Sequence, residues 1–214
     1  MSTEPAKPDA ADVETGIGET KTEYDLDRTI GFSDGVMAIA ITLMVLDLEV
    51  PSLDDPSPTA LFDALWTQRT QIFVYALSFV VLARYWLTHH RLFGQLERVN
   101  TRLTALNLLF LALIGLVPFP TDVLGRFASE PIAVSLYAVE MALVTATLQA
   151  LYQYSVRADL VRDKVKPPRI LQSLAVPLIF LSAVPFAFLV SAPLAPFLWF
   201  AIGFVPDDEH WGKE

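Results

Sequence analysis

An aspartate stands inside an apolar run near the start of the chain. The stretch Arg28-Thr-Ile-Gly-Phe32-Ser33-Asp34-Gly35 leads straight into Val-Met-Ala-Ile-Ala-Ile-Thr-Leu. A carboxylate in such a setting is costly unless it is partnered, and it marks a functional site by default. Arg28 and Asp34 are six residues apart, about 240° around a helix, so they do not face each other as i,i+4 pairs do. Asp34 therefore needs partners from other segments. Trp86 and His89, three apart on one face, and Asn107 fall at matching depth if successive segments run in alternate directions. Indole, imidazole and carboxamide can all donate to a carboxylate. Such a cluster pins helices together or acts in gating or proton sensing, and the residue types alone leave both readings open.

The opposite side of the same segment carries Ile39, Thr42, Leu43 and Leu46 at i, i+3, i+4 and i+7, a single stripe. Beyond it come Asp47 and Glu49. Asp34 lies about 140° from Ile39 around the helix, so carboxylate and stripe occupy different faces. Gly31 and Gly35 form a Gly-x-x-x-Gly step that permits close helix approach. A branched apolar stripe with one hydroxyl, leading to acids, could line a narrow pore, where apolar constrictions gate by dewetting. Lipid-facing or core packing gives the same periodicity.

These residues need long apolar elements to position them, and the composition supplies them. Of 214 residues, 53% are hydrophobic and 18% charged, against about 25% charged in a soluble domain. The first 28 residues alone hold eight acids and three bases, so the remainder is more apolar still. Spanning helices need about 20 mostly apolar residues. Segments at 29–50, 69–90, 103–120, 131–155 and 170–190 meet this. A sixth, 192–205, is short and proline-rich, with Pro193 and Pro196 following Pro177 and Pro185. The expectation is an all-α polytopic membrane protein with six transmembrane helices over 25–206. Residues 1–24 are acidic and poor in large apolar side chains, and are expected to be disordered. Residues 207–214 form a short tail.

Basic residues fix the expected orientation. Twelve of the fifteen Lys and Arg fall before the first segment, in the second and fourth loops and in the tail; the first and third loops hold only Arg69 and Arg126. Both termini are then cytoplasmic, in a multi-pass protein of the cell membrane. The first loop carries five acids from Asp47 to Asp63 and no base. It reads either as a cation-attracting outer mouth, with Asp47 and Glu49 at its edge, or as simple avoidance of positive charge.

Other constellations add little. The net charge of −9 argues against nucleic acid as a partner. The absence of cysteine excludes disulfides, thiolate metal sites and cysteine nucleophiles, and three histidines leave little room for a histidine metal site. No catalytic triad, phosphate loop or metal-ligand spacing stands out, so an enzyme is not expected, and no cofactor or resident metal is implied. Arg84 and Glu140 lie within segments and could pair across the bundle. His90 reads as a solvated boundary residue. Trp199 and Trp211 read as interfacial or tail aromatics.

Arg28-x-x-x-Phe32-Ser33-Asp34 with the Gly-Val-Met-Ala-Ile-Ala-Ile-Thr-Leu that follows closely resembles the signature of the transmembrane protein 175 family of potassium channels, in its prokaryotic branch. Trp86-x-x-His89 with Leu92-Phe93, the Leu-Asn107-Leu run and Pro118-Phe119-Pro120-Thr121 follow in the family's order. Segments four to six match only in hydropathy. The resemblance implies a homotetramer in the lipid bilayer, its pore lined by the first helix of each subunit. It carries the constriction onto Ile39, Leu43 and Leu46 and selectivity onto Thr42. Arg28, Ser33, Asp34, Trp86, His89 and Asn107 become the network holding the pore helix. It implies passive conduction of K⁺, and more weakly of Na⁺ and other monovalent cations. The competing reading is a secondary cation transporter or proton-coupled carrier, which usually shows internal repeats; none is evident here.

Overall fold

Polar side chains start two of the helices. Ser57 accepts from Ala60 N at 3.2 Å with Pro58 at the first helical position, and Asn100 accepts from Leu103 N at 2.9 Å, each satisfying an orphan N–H of the first turn. The structure, a computed structural model, describes residues 10–49, 52–53, 57–162 and 170–204, with side chains over 26–49, 52–53, 57–162 and 174–202. The helices are α1 (Ala10–Leu43), continued by a 3₁₀ turn (Met44–Asp47), α2 (Pro58–Thr67), α3 (Arg69–Gly94) and α4 (Thr101–Leu116). After them come α5 (Pro118–Arg126), α6 (Pro131–Arg157), α7 (Ile170–Leu189) and a 3₁₀ helix (Ala195–Phe204). Among the described residues there is no strand, only an isolated antiparallel bridge between Leu96 and Val161.

α6 packs on α4, α5 and α7, while α1 lies against α3 and α4. The core is built from Leu82, Leu92 and Phe93 of α3, Leu103, Phe110 and Ile114 of α4, and Tyr137, Met141, Val144 and Leu151 of α6. α6 ends where Asp159 takes a left-handed φ of 55°, which Asp tolerates better than bulkier residues. Leu160 N then closes on Ser155 O at 3.0 Å, a Schellman-type stop. The turn brings Leu160 O to Glu97 N at 2.9 Å and Arg162 N to Gln95 O at 2.8 Å. The second and fourth loops, grouped by their basic charge, thus meet at one end of the bundle. The ends of the first and third loops meet at the other, through Glu49 and Arg126.

Among the described residues, four helical stretches are long and apolar enough to cross a membrane: Leu26–Asp47, Arg69–Gly94, Thr101–Arg126 and Pro131–Arg157. Segment five is present as α7, which runs through Pro177 and Pro185, but its described apolar part, Leu174–Leu189, is short. Segment six is a 3₁₀ helix of 10 residues, about 20 Å at the 3₁₀ rise against a hydrocarbon core of about 30 Å.

Several expectations change. α1 extends back to Ala10, into the acidic stretch. The helix is already nucleated by its apolar part, and Ala10, Ala11, Glu14, Glu19 and Lys21 add to it at little cost. The third segment breaks at Val117, where Pro118 and Pro120 start α5. The first loop contains α2, which the acid count concealed. Trp199 is not interfacial. It is buried, with its ring 4.8 Å from Tyr137 and 5.7 Å from Phe180, and its Nε1 donates to Phe180 O at 3.4 Å. Trp211 lies outside the described residues.

Candidate functional site

α1 turns one face to its own bundle and the other away from it. Ser33, Met37, Ala40 and Met44, at i, i+4, i+7 and i+11, are buried. Ile39 and Leu46 are 60% and 72% exposed, and Thr42 and Leu43 are exposed with them. The predicted stripe is therefore the outward face, on the far side of the helix from the residues that pack. Gly31 and Gly35 lie on the same outward side, and a Cβ at either would meet nothing within 4 Å.

The packed face is tied down by a directed chain of hydrogen bonds. Ser33 Oγ donates to Thr29 O at 2.8 Å. It therefore accepts from Asn107 Nδ2 at 2.9 Å. That fixes the amide, so Asn107 Oδ1 faces His89 Nε2 at 2.9 Å and accepts its proton. The imidazole is held between Phe93 and Phe110, with centroids at 4.1 and 5.3 Å. Ser33, His89 and Asn107 are all buried, so each bond replaces one that water cannot supply.

Asp34, half-buried, accepts from Trp86 Nε1 at 2.9 Å. Trp86 in turn stacks on the exposed His90, 5.3 Å between centroids. The candidate partners of Asp34 are thus divided: Trp86 takes the carboxylate, while His89 and Asn107 serve Ser33. The structure brings Ser33, Asp34, Trp86, His89 and Asn107 together on α1, α3 and α4. Arg28 is exposed on α1, a turn and a half before Asp34.

Thr42 Oγ1 donates to Ala38 O at 2.9 Å, with Ile39 O at 3.0 Å. With its proton turned to the main chain, the oxygen's lone pairs remain for a ligand on the exposed side.

At the other end, Gln71 Nε2 donates to the main-chain O of Asp47 at 2.5 Å and approaches Asp122 Oδ1 at 3.5 Å. Glu49 pairs with Arg126 Nη2 at 3.1 Å. Gln71, Asp122 and Arg126 had no motif to announce them. The i,i+4 spacing of Asp122 and Arg126 was the only available signal. Among the described residues, Glu140 is buried and its Oε1 has no hydrogen-bond partner.

A helical bundle with spans of membrane length, whose first helix is pinned by one polar face and left open on the other, belongs to the class of polytopic membrane proteins. Residues 28–118, which contain the whole network, match the family described as endosomal/lysosomal potassium channel TMEM175. A potassium channel of Streptomyces collinus is 38% identical over 134 residues, 61% of this chain and 64% of that one. A potassium channel of Chamaesiphon minutus is 31% identical over 144 residues, 66% of this chain and 71% of the relative. The crystal structure of a lysosomal potassium-selective channel TMEM175 homolog from Chamaesiphon minutus superposes with a TM-score of 0.71 at 27% identity, covering 85% of this chain and 95% of that chain. The chain belongs to the TMEM175 family.

Proposed function

We propose that this chain is one subunit of a potassium-permeable cation channel, a homotetramer in the cell membrane. Four copies of α1 line the pore. Each subunit contributes six membrane segments, α7 and the final 3₁₀ helix completing the four long spans, and both termini are cytoplasmic. Ile39, Leu43 and Leu46 form an apolar constriction that a partly dehydrated cation crosses passively, and Thr42 supplies oxygen to it. Arg28, Ser33, Asp34, Trp86, His89 and Asn107 hold the helix so that this face keeps its register. K⁺ permeates best, with Na⁺ and other monovalent cations weaker.

The observation that carries this reading is the division of α1 into two faces. Its polar groups are spent on its own bundle, and its apolar stripe with one hydroxyl is left without a partner among the subunit's described residues. The matched relatives are themselves named potassium channels.

The test is electrogenic flux of K⁺, Na⁺ and N-methyl-glucamine from liposomes holding protein that elutes as a tetramer. Leu43→Ala widens the constriction and raises K⁺ flux severalfold, and Thr42→Ala lowers the preference for K⁺ over Na⁺. Wild-type flux in both variants would remove the pore from α1.

A further inference from the structure

The acids at the Asp47 end of α1 do not stand as an open negative ring, because a guanidinium lies among them. Arg126 sits at the end of α5 and bridges two elements with two nitrogens. Its Nε donates to Asp122 Oδ1 at 2.7 Å, one turn back on α5, and its Nη2 donates to Glu49 Oε1 at 3.1 Å, beyond the end of α1. Two charge-assisted bonds from one planar group, to carboxylates on two elements, set its position and direction.

The support beneath it is equally specific. Asp122 is approached by Gln71 Nε2 at 3.5 Å, while the same nitrogen holds the main-chain oxygen of Asp47. Gln71 can lie there because residue 125 is glycine: a Cβ would meet Gln71 Cγ at 3.0 Å and its Cα at 3.4 Å. The close approach of α5 to α3 thus aims Asp122, Asp122 aims Arg126, and Arg126 reaches Glu49.

We propose that Arg126 is the tethered counter-charge of the pore mouth, a conductance-setting residue that limits how strongly the acids at the end of α1 concentrate cations. This rests on the reading of α1 as the pore helix. Per chain, Asp47, Glu49 and Asp122 with Arg126 leave two net negative charges where the acids alone would leave three. Fourfold repetition multiplies the difference. A mouth potential of this kind acts through the ionic atmosphere, so its effect belongs to low salt and fades when the Debye length falls below the size of the mouth.

The experiment is K⁺ flux from vesicles of neutral lipid holding the full chain, measured at about 20 mM and about 1 M KCl, where the Debye length is about 20 Å and about 3 Å. Arg126→Gln raises flux about threefold at the lower concentration and leaves it near wild type at the higher. Arg126→Lys, which keeps the charge and loses the fork, stays near wild type at both. Glu49→Gln leaves the α5 pairing intact and lowers low-salt flux, so it reads the same potential with the opposite sign if Arg126→Gln does not assemble. Arg126→Gln combined with Glu49→Gln returns the mouth to two net charges and the flux to wild type.

A low-salt flux unchanged in Arg126→Gln and in Glu49→Gln overturns the proposal. So does a change of equal size at both concentrations, which would make Arg126 a strut. Leu43→Ala in the same vesicles separates the two levels: if that variant alters flux and the mouth variants do not, this proposal fails and the pore reading stands. If Leu43→Ala is silent, both fail.

Discussion

At the scale of single residues, Asn107 does two jobs with one carboxamide, donating to Ser33 and accepting from His89. Removing it leaves a buried ring nitrogen and a buried hydroxyl each short of a partner. Asn107→Ala therefore lowers stability by about 2–3 kcal/mol, seen as an earlier thermal transition of the detergent-solubilised protein. Thr42→Ala, on an exposed face and bonded only to its own helix, stays within about 0.5 kcal/mol of wild type. Equal transitions for the two variants would contradict the assignment of the polar face to structure and the stripe to passage. Much of this was legible in the sequence. The cost of burying Asp34 demanded a partner, and alternating segment direction put Trp86, His89 and Asn107 at the right depth. Which of them takes the carboxylate was not legible. The choice depends on a rotation of α3 against α1 that no spacing encodes.

At the scale of elements, the joint between α3 and α5 controls the end of α1. Gly125→Ala gains about 1 kcal/mol of helix propensity, but its methyl lands 3.0 Å from Gln71 Cγ. Gln71 yields by releasing the main-chain oxygen of Asp47. Global stability then moves by less than about 1 kcal/mol, while hydrogen exchange over Met44–Glu49 quickens. Unchanged exchange there would mean that Gln71 does not hold that turn. Hydropathy revealed the long helices because length and apolarity are local properties. It could not show the break at Val117, because the two halves join into one apolar stretch, Thr101–Arg126. It also hid α2, whose acidic neighbours dominate the loop's composition although Leu61, Phe62, Leu65 and Trp66 give it an exposed apolar side. The proline count at the end of the chain predicted kinks. α7 nevertheless passes through Pro177 and Pro185, and its described portion packs Phe180 against Trp199.

At the scale of the whole molecule, the exposed apolar surface falls into two kinds. Residues such as Ile132 and Val80, 73% and 65% exposed, lie on spans with ordinary lipid-facing composition. The stripe of α1 differs in lying opposite a face locked by polar bonds and in carrying Thr42 between its branched residues. Loop charge grouped the loops by end, and the bridge between Leu96 and Val161 with the Glu49–Arg126 pair joins them as grouped. Subunit number left no mark on composition or periodicity and entered only through the family signature. Whether the stripe faces the permeation path can be tested directly, because the chain has no cysteine. Leu43→Cys, Leu46→Cys and Ile132→Cys each place one thiol in an otherwise unreactive protein. The measurement is K⁺ flux before and after a charged methanethiosulfonate reagent, with labelling verified by mass. Modification at 43 and 46 is expected to block flux, and modification at 132 to leave it unchanged. Full labelling at 43 and 46 with undiminished flux would contradict that placement of the stripe.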